Sequence, residues 1–142
     1  MILAIDYGKR KIGLAISDET LTIAQRLPIL VVKNDAEAIK KIVSILDSSK
    51  QIDNILIGLP LGLNLSPTQI SKVVKEFTNK LRNKINEKIS ITFINEVLTS
   101  KKACIGKSRK FKKEKLDAEA ARIMLQEYLD HMNLIQSKMS PK

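Results

Sequence analysis

Three carboxylates stand at points of the sequence where acids can gather around a cation. Asp6 ends an apolar run at the amino terminus, Glu96 ends a later one, and Asp117 lies near the start of the last predicted helix. Mg²⁺ binds one or two carboxylates together with water and phosphate oxygens. Two such ions can activate a water molecule and stabilise the leaving oxygen of a phosphodiester. If the three acids converge, they favour metal-dependent hydrolysis of nucleic acid.

Each acid also has a purely structural interpretation. Asp6 could accept hydrogen bonds from the amides of its own turn, and Glu96 could be a surface acid paired with Lys101 or Lys102. Asp117 could be a helix-start acid favoured by the helix dipole. Three unpaired carboxylates brought together would repel one another at a cost of several kcal/mol, which a divalent cation would remove. Their convergence therefore predicts a bound Mg²⁺ or Mn²⁺ ion.

The composition excludes several other kinds of site. With Cys104 as the single cysteine, the chain has no internal disulfide and no cysteine-based zinc site. With His131 as the single histidine, a His-rich metal centre is excluded and Ser-His-Asp or Cys-His catalysis is disfavoured. Acid–base or metal chemistry must therefore come from carboxylates.

The charge predicts a polyanionic partner. The 142 residues carry 25 basic and 15 acidic side chains, a formal net charge of +10. Three basic residues follow Asp6 closely, and a second cluster occupies the region before the last helix. We predict that both bind nucleic acid through its phosphates, although a solvated loop is the alternative for each. The predicted contacts are Lys9, Arg10, Lys11, Lys101, Lys102, Lys107, Arg109, Lys110, Lys112 and Lys113.

Hydrophobic periodicity predicts the elements that would position the acids. Three strands, the third an edge strand carrying Pro28, are followed by helix, strand, helix, strand and helix. Asn34 with Glu37 and Ser66 with Gln69 form capping-box patterns at two helix starts. The predicted strands cover 1–6, 12–18, 22–32, 54–60 and 88–96. The three helices of this order cover 34–49, 66–81 and 115–131, and a further short helix is predicted over 99–105.

This order predicts a mixed α/β sheet, a three-stranded antiparallel meander plus parallel strands, flanked by helices on both faces. Strands joined by helical crossovers can lie parallel, so Asp6 and Glu96 can meet at one edge of the sheet, where open α/β sheets place their sites. Asp117 begins the inward face of the last helix. The small residues Ala118, Ala120 and Ala121 would let that helix approach the sheet closely.

The length predicts one domain over residues 1–132, with 133–142 as a flexible tail. No apolar run approaches the roughly 18 residues needed to span a bilayer, and no signal peptide is apparent. We therefore expect a cytoplasmic protein that does not bind membranes. The sequence carries no signal that indicates an oligomeric state.

Four stretches, taken in order, resemble the YqgF/RuvX family, Holliday junction resolvase-like proteins of the RNase H-like fold. They are "DYGKRKIGLAISD", "ILIGLPLGLNLSPT", "INEVLTSKKA" and "KEKLDAEAARIMLQEYLD", which together span the chain up to about Asp130. The resemblance implies an RNase H-like sheet and places an acidic triad at Asp6, Glu96 and Asp117. It implies a nuclease that processes the 5′ end of pre-16S rRNA, with rRNA precursor or branched DNA as substrate and the pre-ribosomal particle as a partner.

The sequence departs from the family at one point. Asn95 and Val97 stand where the family has Asp and Arg around its acid, so an alternative ligand and a phosphate partner are missing. The structural residues of the family motifs are retained. We expect Gly8 to permit a tight turn near a phosphate, Gly13 a close strand contact, and Gly58 with Pro60 a turn at the active edge, with a purely structural turn as the alternative for each.

Two other classes of function compete with a nuclease. The Asp-x-Gly hairpin also occurs in actin-like ATPases, but these need a second such domain that 142 residues cannot supply. A non-catalytic RNA-binding assembly factor is favoured slightly by the change at Asn95 and Val97. Aromatic residues make up 4% of the chain, which predicts phosphate contacts rather than base stacking as the main source of binding.

Overall fold

The computed structural model describes residues 1–59, 69–95 and 113–139, and in the last range the side chains of 119–138. The elements follow the predicted order. Strands β1 (Ile2–Asp6), β2 (Lys11–Ser17) and β3 (Ala24–Val31) precede helix α1 (Asp35–Ser48), and β4 (Asn54–Leu59), α2 (Gln69–Arg82), β5 (Ser90–Asn95) and α3 (Lys113–Met139) follow.

The five strands form one sheet in the order β3-β2-β1-β4-β5. β1, β2 and β3 are an antiparallel meander, and β4 and β5 run parallel to β1. β3 is an edge strand, as Pro28 predicts, because proline cannot donate a ladder hydrogen bond. The mixed sheet predicted from the sequence is confirmed.

Helices cover both faces of the sheet. α1 and α2 pack on the face that carries Leu3, Ile5 and Ile57, whereas α3 packs on the face that carries Ile2 and Ala4. This division follows from strand geometry, since successive side chains along a strand point to opposite faces. The prediction of helices on both faces is confirmed.

Helix α1 begins as its sequence predicts. Asn34 caps the helix, and its Oδ1 accepts a hydrogen bond of 2.8 Å from the Glu37 amide. The Glu37 carboxylate reaches back to the amide of Lys33 at 3.0 Å. The box is therefore closed one residue earlier than in the usual pattern, in which the acid bonds the amide of the cap residue itself.

Two details of the helix predictions are wrong. α3 does not end near His131 but continues to Met139, so residues 133–139 are helical. The Asn133 side chain donates a 3.0 Å hydrogen bond to the Leu21 carbonyl, which ties this extension to the loop before β3. In α2, Ile70 is 62% exposed, although its spacing to Val74 and Phe77 predicts a buried residue.

Some predictions fall outside the described residues. The start of the second helix at Ser66 and the short helix over 99–105 belong to this group. The division into a domain over 1–132 and a flexible tail over 133–142 stays a prediction. No helix in the described ranges is both long and apolar enough to cross a bilayer.

Candidate functional site

Asp6 lies where the central strand of the sheet ends. It is half-buried and pairs with Gly13 of β2. Ile2 and Ala4, four and two positions earlier, pack in the cluster beneath α3. Alternation along β1 therefore places Asp6 on the same face of the sheet as α3.

Helix α3 crosses this face in the direction opposite to β1. Glu119 forms an ion pair of 3.0 Å with Arg26, whose backbone pairs with Ala15 in the same cross-strand row as Ala4. Further along, Gln126 accepts a hydrogen bond from the Ala24 amide at 2.8 Å. The contacts of α3 thus advance toward the start of β3, so its first turns lie at the edge of the sheet where β1 ends.

Position 117 lies in these first turns, one helical turn before Ala121, which is fully buried against the sheet. Residues four apart share a face of a helix, so the backbone at 117 belongs to the sheet-facing stripe. The side chain of Asp117 is outside the described part of the structure. The placement of its backbone agrees with the predicted convergence without testing it.

Strand β5 ends at the same edge of the sheet as β1. Its last residue, Asn95, pairs in parallel register with Leu59 of β4, and β4 is in turn parallel to β1. Glu96, the next residue, lies outside the described residues. Ile94 packs in the cluster beneath α3 and Ile91 against the opposite cluster, so alternation assigns Asn95 to the face of α1 and α2.

The turn after β1 presents three basic side chains beside Asp6. Lys9, Arg10 and Lys11 are all exposed. The turn is held by Val32, the residue after β3, whose amide donates a 2.8 Å hydrogen bond to the Arg10 carbonyl. A cleft of about 440 Å³ brings this turn together with Asp6 and Gly13. The arrangement can bind an anion next to a carboxylate.

Glycine is required at position 8 for a steric reason. A Cβ atom there would collide with the backbone carbonyl oxygen of Lys11 inside the turn. Gly13 lies where the pairing of β2 with β3 shifts register between Ile12 and Leu14, and glycine commonly marks such irregularities. The turn at Gly8 is therefore tight, and its approach to a phosphate stays a prediction.

Other predicted residues have only partial placement. Gly58 is buried in strand β4, one residue before its end at Leu59, and pairs with Ile94 of β5. Pro60 lies outside the described residues. So do the basic residues Lys101, Lys102, Lys107, Arg109, Lys110 and Lys112, while Lys113 is described only as the backbone that begins α3.

Tyr7 anchors the residue that follows Asp6. Its hydroxyl donates a 2.7 Å hydrogen bond to Asp35 at the start of α1, and its ring lies 4.7 Å from the ring of Phe77 in α2. Lys80 contacts the other Asp35 oxygen at 3.6 Å. Burial, with the hydrogen bond to Asp35, raises the pKa of Tyr7 to about 12. Sequence reasoning missed this anchor because Tyr7 and Asp35 are joined only by tertiary contact.

A divalent metal fits the part of the predicted donor set that is described. Asp6 supplies a half-buried carboxylate at a strand end, and hard oxygen ligands are those that Mg²⁺ or Mn²⁺ prefers. Among residues 1–59, 69–95 and the described side chains of α3, no three His, Cys, Asp or Glu groups come together as a metal site. The other two predicted ligands, Glu96 and Asp117, lie beyond that set.

Sequence comparisons identify relatives over nearly the whole chain. A family model described as "RuvX: Holliday junction resolvase" matches residues 1–131. A protein of Sulfurihydrogenibium sp. (strain YO3AOP1), named "Putative pre-16S rRNA nuclease", is 36% identical over 135 residues, which cover 93% of this chain and 91% of the relative. A protein of the same name from Paraburkholderia phymatum is 33% identical over 134 residues, 94% of this chain and 87% of the relative.

Structural comparison agrees with the predicted fold. The structure of Thermus thermophilus RuvC in complex with a Holliday junction substrate superposes with a TM-score of 0.57. The match covers 92% of this chain and 94% of RuvC at 11% sequence identity. At that identity the likeness establishes the fold alone, and it confirms the predicted RNase H-like architecture.

Proposed function

The chain belongs to the RuvX family, and on this premise we propose that it is a nuclease that hydrolyses phosphodiester bonds at the edge of the sheet where β1 ends. One observation carries the location: Asp6 ends the central strand on the face of α3, beside a turn with exposed Lys9, Arg10 and Lys11. A carboxylate and a cluster of cations meet there. The carboxylate can bind a metal ion and the cations can bind the phosphates of a phosphodiester.

The proposed substrate is the precursor of 16S rRNA, and the proposed role is processing of its 5′ end within the pre-ribosomal particle. The names of the two relatives support this choice. The net charge of +10 supports an extended polyanion in particular. Because aromatic residues are few, we expect contacts to phosphates to dominate the binding, which should weaken steeply with added salt.

The proposed catalytic and metal-binding residues are Asp6, Glu96 and Asp117. When bound, Mg²⁺ or Mn²⁺ would supply an activated water and charge neutralisation for the departing oxygen. The chain's own contribution is to orient and to bind. Tyr7 holds the end of β1 through Asp35, while Lys9, Arg10 and Lys11 attract the substrate's phosphates. The basic residues between 101 and 113 are proposed as further phosphate contacts.

The position of Asn95 bears on which acid serves as a ligand. The family has an acid where this chain has Asn95, which raised the alternative that the true ligand is lost. Strand alternation assigns Asn95 to the face of α1 and α2, whereas Asp6 lies on the face of α3. This difference supports Glu96 rather than position 95 as the partner of Asp6, and so supports an active enzyme.

The test compares Asp6→Asn with Asp18→Asn. Both replacements remove one carboxylate charge, but Asp18 lies at the opposite end of the sheet in a loop of its own hydrogen bonds. With Mg²⁺ and a pre-16S rRNA fragment, we expect Asp6→Asn to lower the cleavage rate by about 10²-fold or more. Asp18→Asn should cleave at the wild-type rate.

Parallel reactions on a four-way DNA junction decide between the proposed substrate and a resolvase activity. If the junction is cleaved faster than the RNA, branched DNA replaces pre-16S rRNA as the substrate. RNA binding without cleavage by the wild-type protein, in both Mg²⁺ and Mn²⁺, would identify a non-catalytic assembly factor instead.

A further inference from the structure

A second cleft lies on the other side of the turn after β1. It measures about 600 Å³ and is lined by Tyr7, Gly8, Lys9, Gln69, Ile70 and Val73. Tyr7, Gly8 and Lys9 also line the cleft that contains Asp6. The turn is therefore a wall of both clefts, and a chain bound at Asp6 that passes over the turn would reach the first turn of α2.

The wall formed by α2 is apolar and open to solvent. Ile70 is 62% exposed although the rest of the stripe, Val74 and Phe77, is buried. A single exposed isoleucine is ordinary on a protein surface. Here, however, Ile70 and half-buried Val73 line the same cleft as Lys9, so the cleft offers apolar surface for a base and a cation for its phosphate.

We propose that this cleft binds an unpaired nucleobase of the substrate strand, next to the phosphate at Asp6. The proposal rests on the nuclease function above. The face of the base would pack on Ile70 and Val73, and the Gln69 amide could bond its edge, since an amide offers both donors and an acceptor. Lys9, shared by both clefts, would bind the connecting phosphate.

The dimensions and chemistry favour this occupant. A volume of about 600 Å³ falls in the range of about 300–1,000 Å³ found for small-ligand sites. Tyr7 itself is not available to stack, because its hydroxyl is bonded to Asp35 and its ring contacts Phe77. The aliphatic surface of α2 is then the platform. A base can reach it only when unstacked, so the site selects single-stranded or unpaired nucleic acid.

The chain offers a matched control for Ile70. Ile23 is the same residue type with nearly the same exposure, 61% against 62%. It precedes β3, whose first residue Ala24 pairs with Ser17, at the end of the sheet opposite to Asp6. Ile70→Ala and Ile23→Ala therefore remove equal apolar surface at two ends of the molecule, and neither should lower the melting temperature appreciably.

The experiment measures binding of short single-stranded RNA that carries one 2-aminopurine, placed in turn at successive positions, with EDTA present to prevent cleavage. In the wild type, binding should change the fluorescence at one position of the series. We expect Ile70→Ala to abolish that change and to weaken binding by about three- to tenfold. Ile23→Ala should bind and respond like the wild type.

Salt dependence separates the base contact from the phosphate contact. Lys9→Gln should lower the slope of log Kd against log salt concentration by about the contribution of one phosphate contact. Ile70→Ala should weaken binding with the slope unchanged. A wild-type affinity and fluorescence response in Ile70→Ala would overturn the proposal, as would equal binding of RNA in which the responding nucleotide is abasic.

The outcome is independent of the nuclease assay. If the wild-type protein cleaves RNA and Ile70→Ala neither alters binding nor removes the fluorescence change, the base site is rejected and the nuclease function stands. If no cleavage occurs but binding depends on Ile70, the nuclease function fails while the cleft remains a nucleobase site.

Discussion

The two faces of the sheet are built differently. The face under α1 and α2 is filled by large side chains, among them Leu3, Ile5, Ile57 and Phe77. The face under α3 carries alanines on three strands, Ala4, Ala15 and Ala24, opposite Ala121 of the helix. Bulky residues stabilise by burying apolar area, whereas small ones allow backbones to approach. The first face thus supplies stability, and the second brings α3 close to the strand that ends in Asp6.

The largest expected effect breaks the stabilising face. Phe77→Ala should lower the free energy of unfolding by about 3–5 kcal/mol, because Phe77 is fully buried and a cavity would remain. Urea denaturation followed by circular dichroism measures this loss. A loss below about 1 kcal/mol would show that the face under α1 and α2 is not the main store of stability.

The next prediction contrasts the faces directly. Ala121→Leu and Ala38→Leu each enlarge a fully buried alanine, one in α3 and one in α1. Overpacking should cost each variant about 1–3 kcal/mol of unfolding free energy. Only Ala121→Leu should also lower the cleavage rate per folded molecule, since it moves α3 away from the face of Asp6. Equal rates in the two variants would contradict the assigned role of α3.

A smaller effect concerns the anchor after Asp6. Tyr7→Phe removes the hydrogen bond to Asp35 and should cost about 1–2 kcal/mol of unfolding free energy. The pKa of Tyr7 is raised to about 12 in the folded state from 10.0. The stability it contributes is therefore complete below pH 10 and is lost as the pH rises toward 12.

The pH dependence of this anchor is measured as a difference. Wild type and Tyr7→Phe should differ in melting temperature at pH 8 and converge between pH 10 and 12. Lysines titrate in the same range in both proteins, so the comparison cancels their contribution. A constant difference across that range would disprove the linkage to the Tyr7 hydroxyl.

The smallest effect lies at the far end of the α3 face. Asp18 accepts hydrogen bonds from the amides of Ile23 and Thr22 and from the Thr20 hydroxyl, which lower its pKa to about 2. The stability it contributes is present above pH 4 and is lost as the pH falls toward 2. Asp18→Asn should lower the melting temperature slightly at pH 6 and not at pH 2. A uniform shift would point to a purely steric effect.

The order of elements could be predicted from sequence because hydrophobic period and cap residues are local signals. Asn34 marks the start of α1, and the apolar run before Asp6 marks a strand buried on both faces. The same local signals place Asp6 at a strand end. Most of the fold is predictable on that basis, as the order of elements, the mixed sheet and the two helical layers confirm.

Features that depend on contacts between residues far apart in the chain could not be predicted from the sequence. The extension of α3 to Met139 is accompanied by a hydrogen bond from Asn133 to Leu21, 112 residues away in the chain. The alanines of the sheet under α3 carry no periodic signal, and Ile70 fits a helical stripe yet is exposed. Convergence of the three acids is likewise a tertiary property. It stays a prediction for Glu96 and Asp117.

The central place of β1 has a consequence for amide exchange. The strand is hydrogen-bonded to β2 on one side and to β4 on the other, and its residues Leu3, Ala4 and Ile5 are wholly inaccessible to solvent. Deuterium should reach these amides only when the whole protein unfolds, later than in edge strands β3 and β5. The segment of β1 that leads into Asp6 is then the last part of the protein to lose its protection from exchange. Destabilising substitutions in other parts of the protein should therefore lower the fraction of folded molecules before they change the activity of each folded molecule.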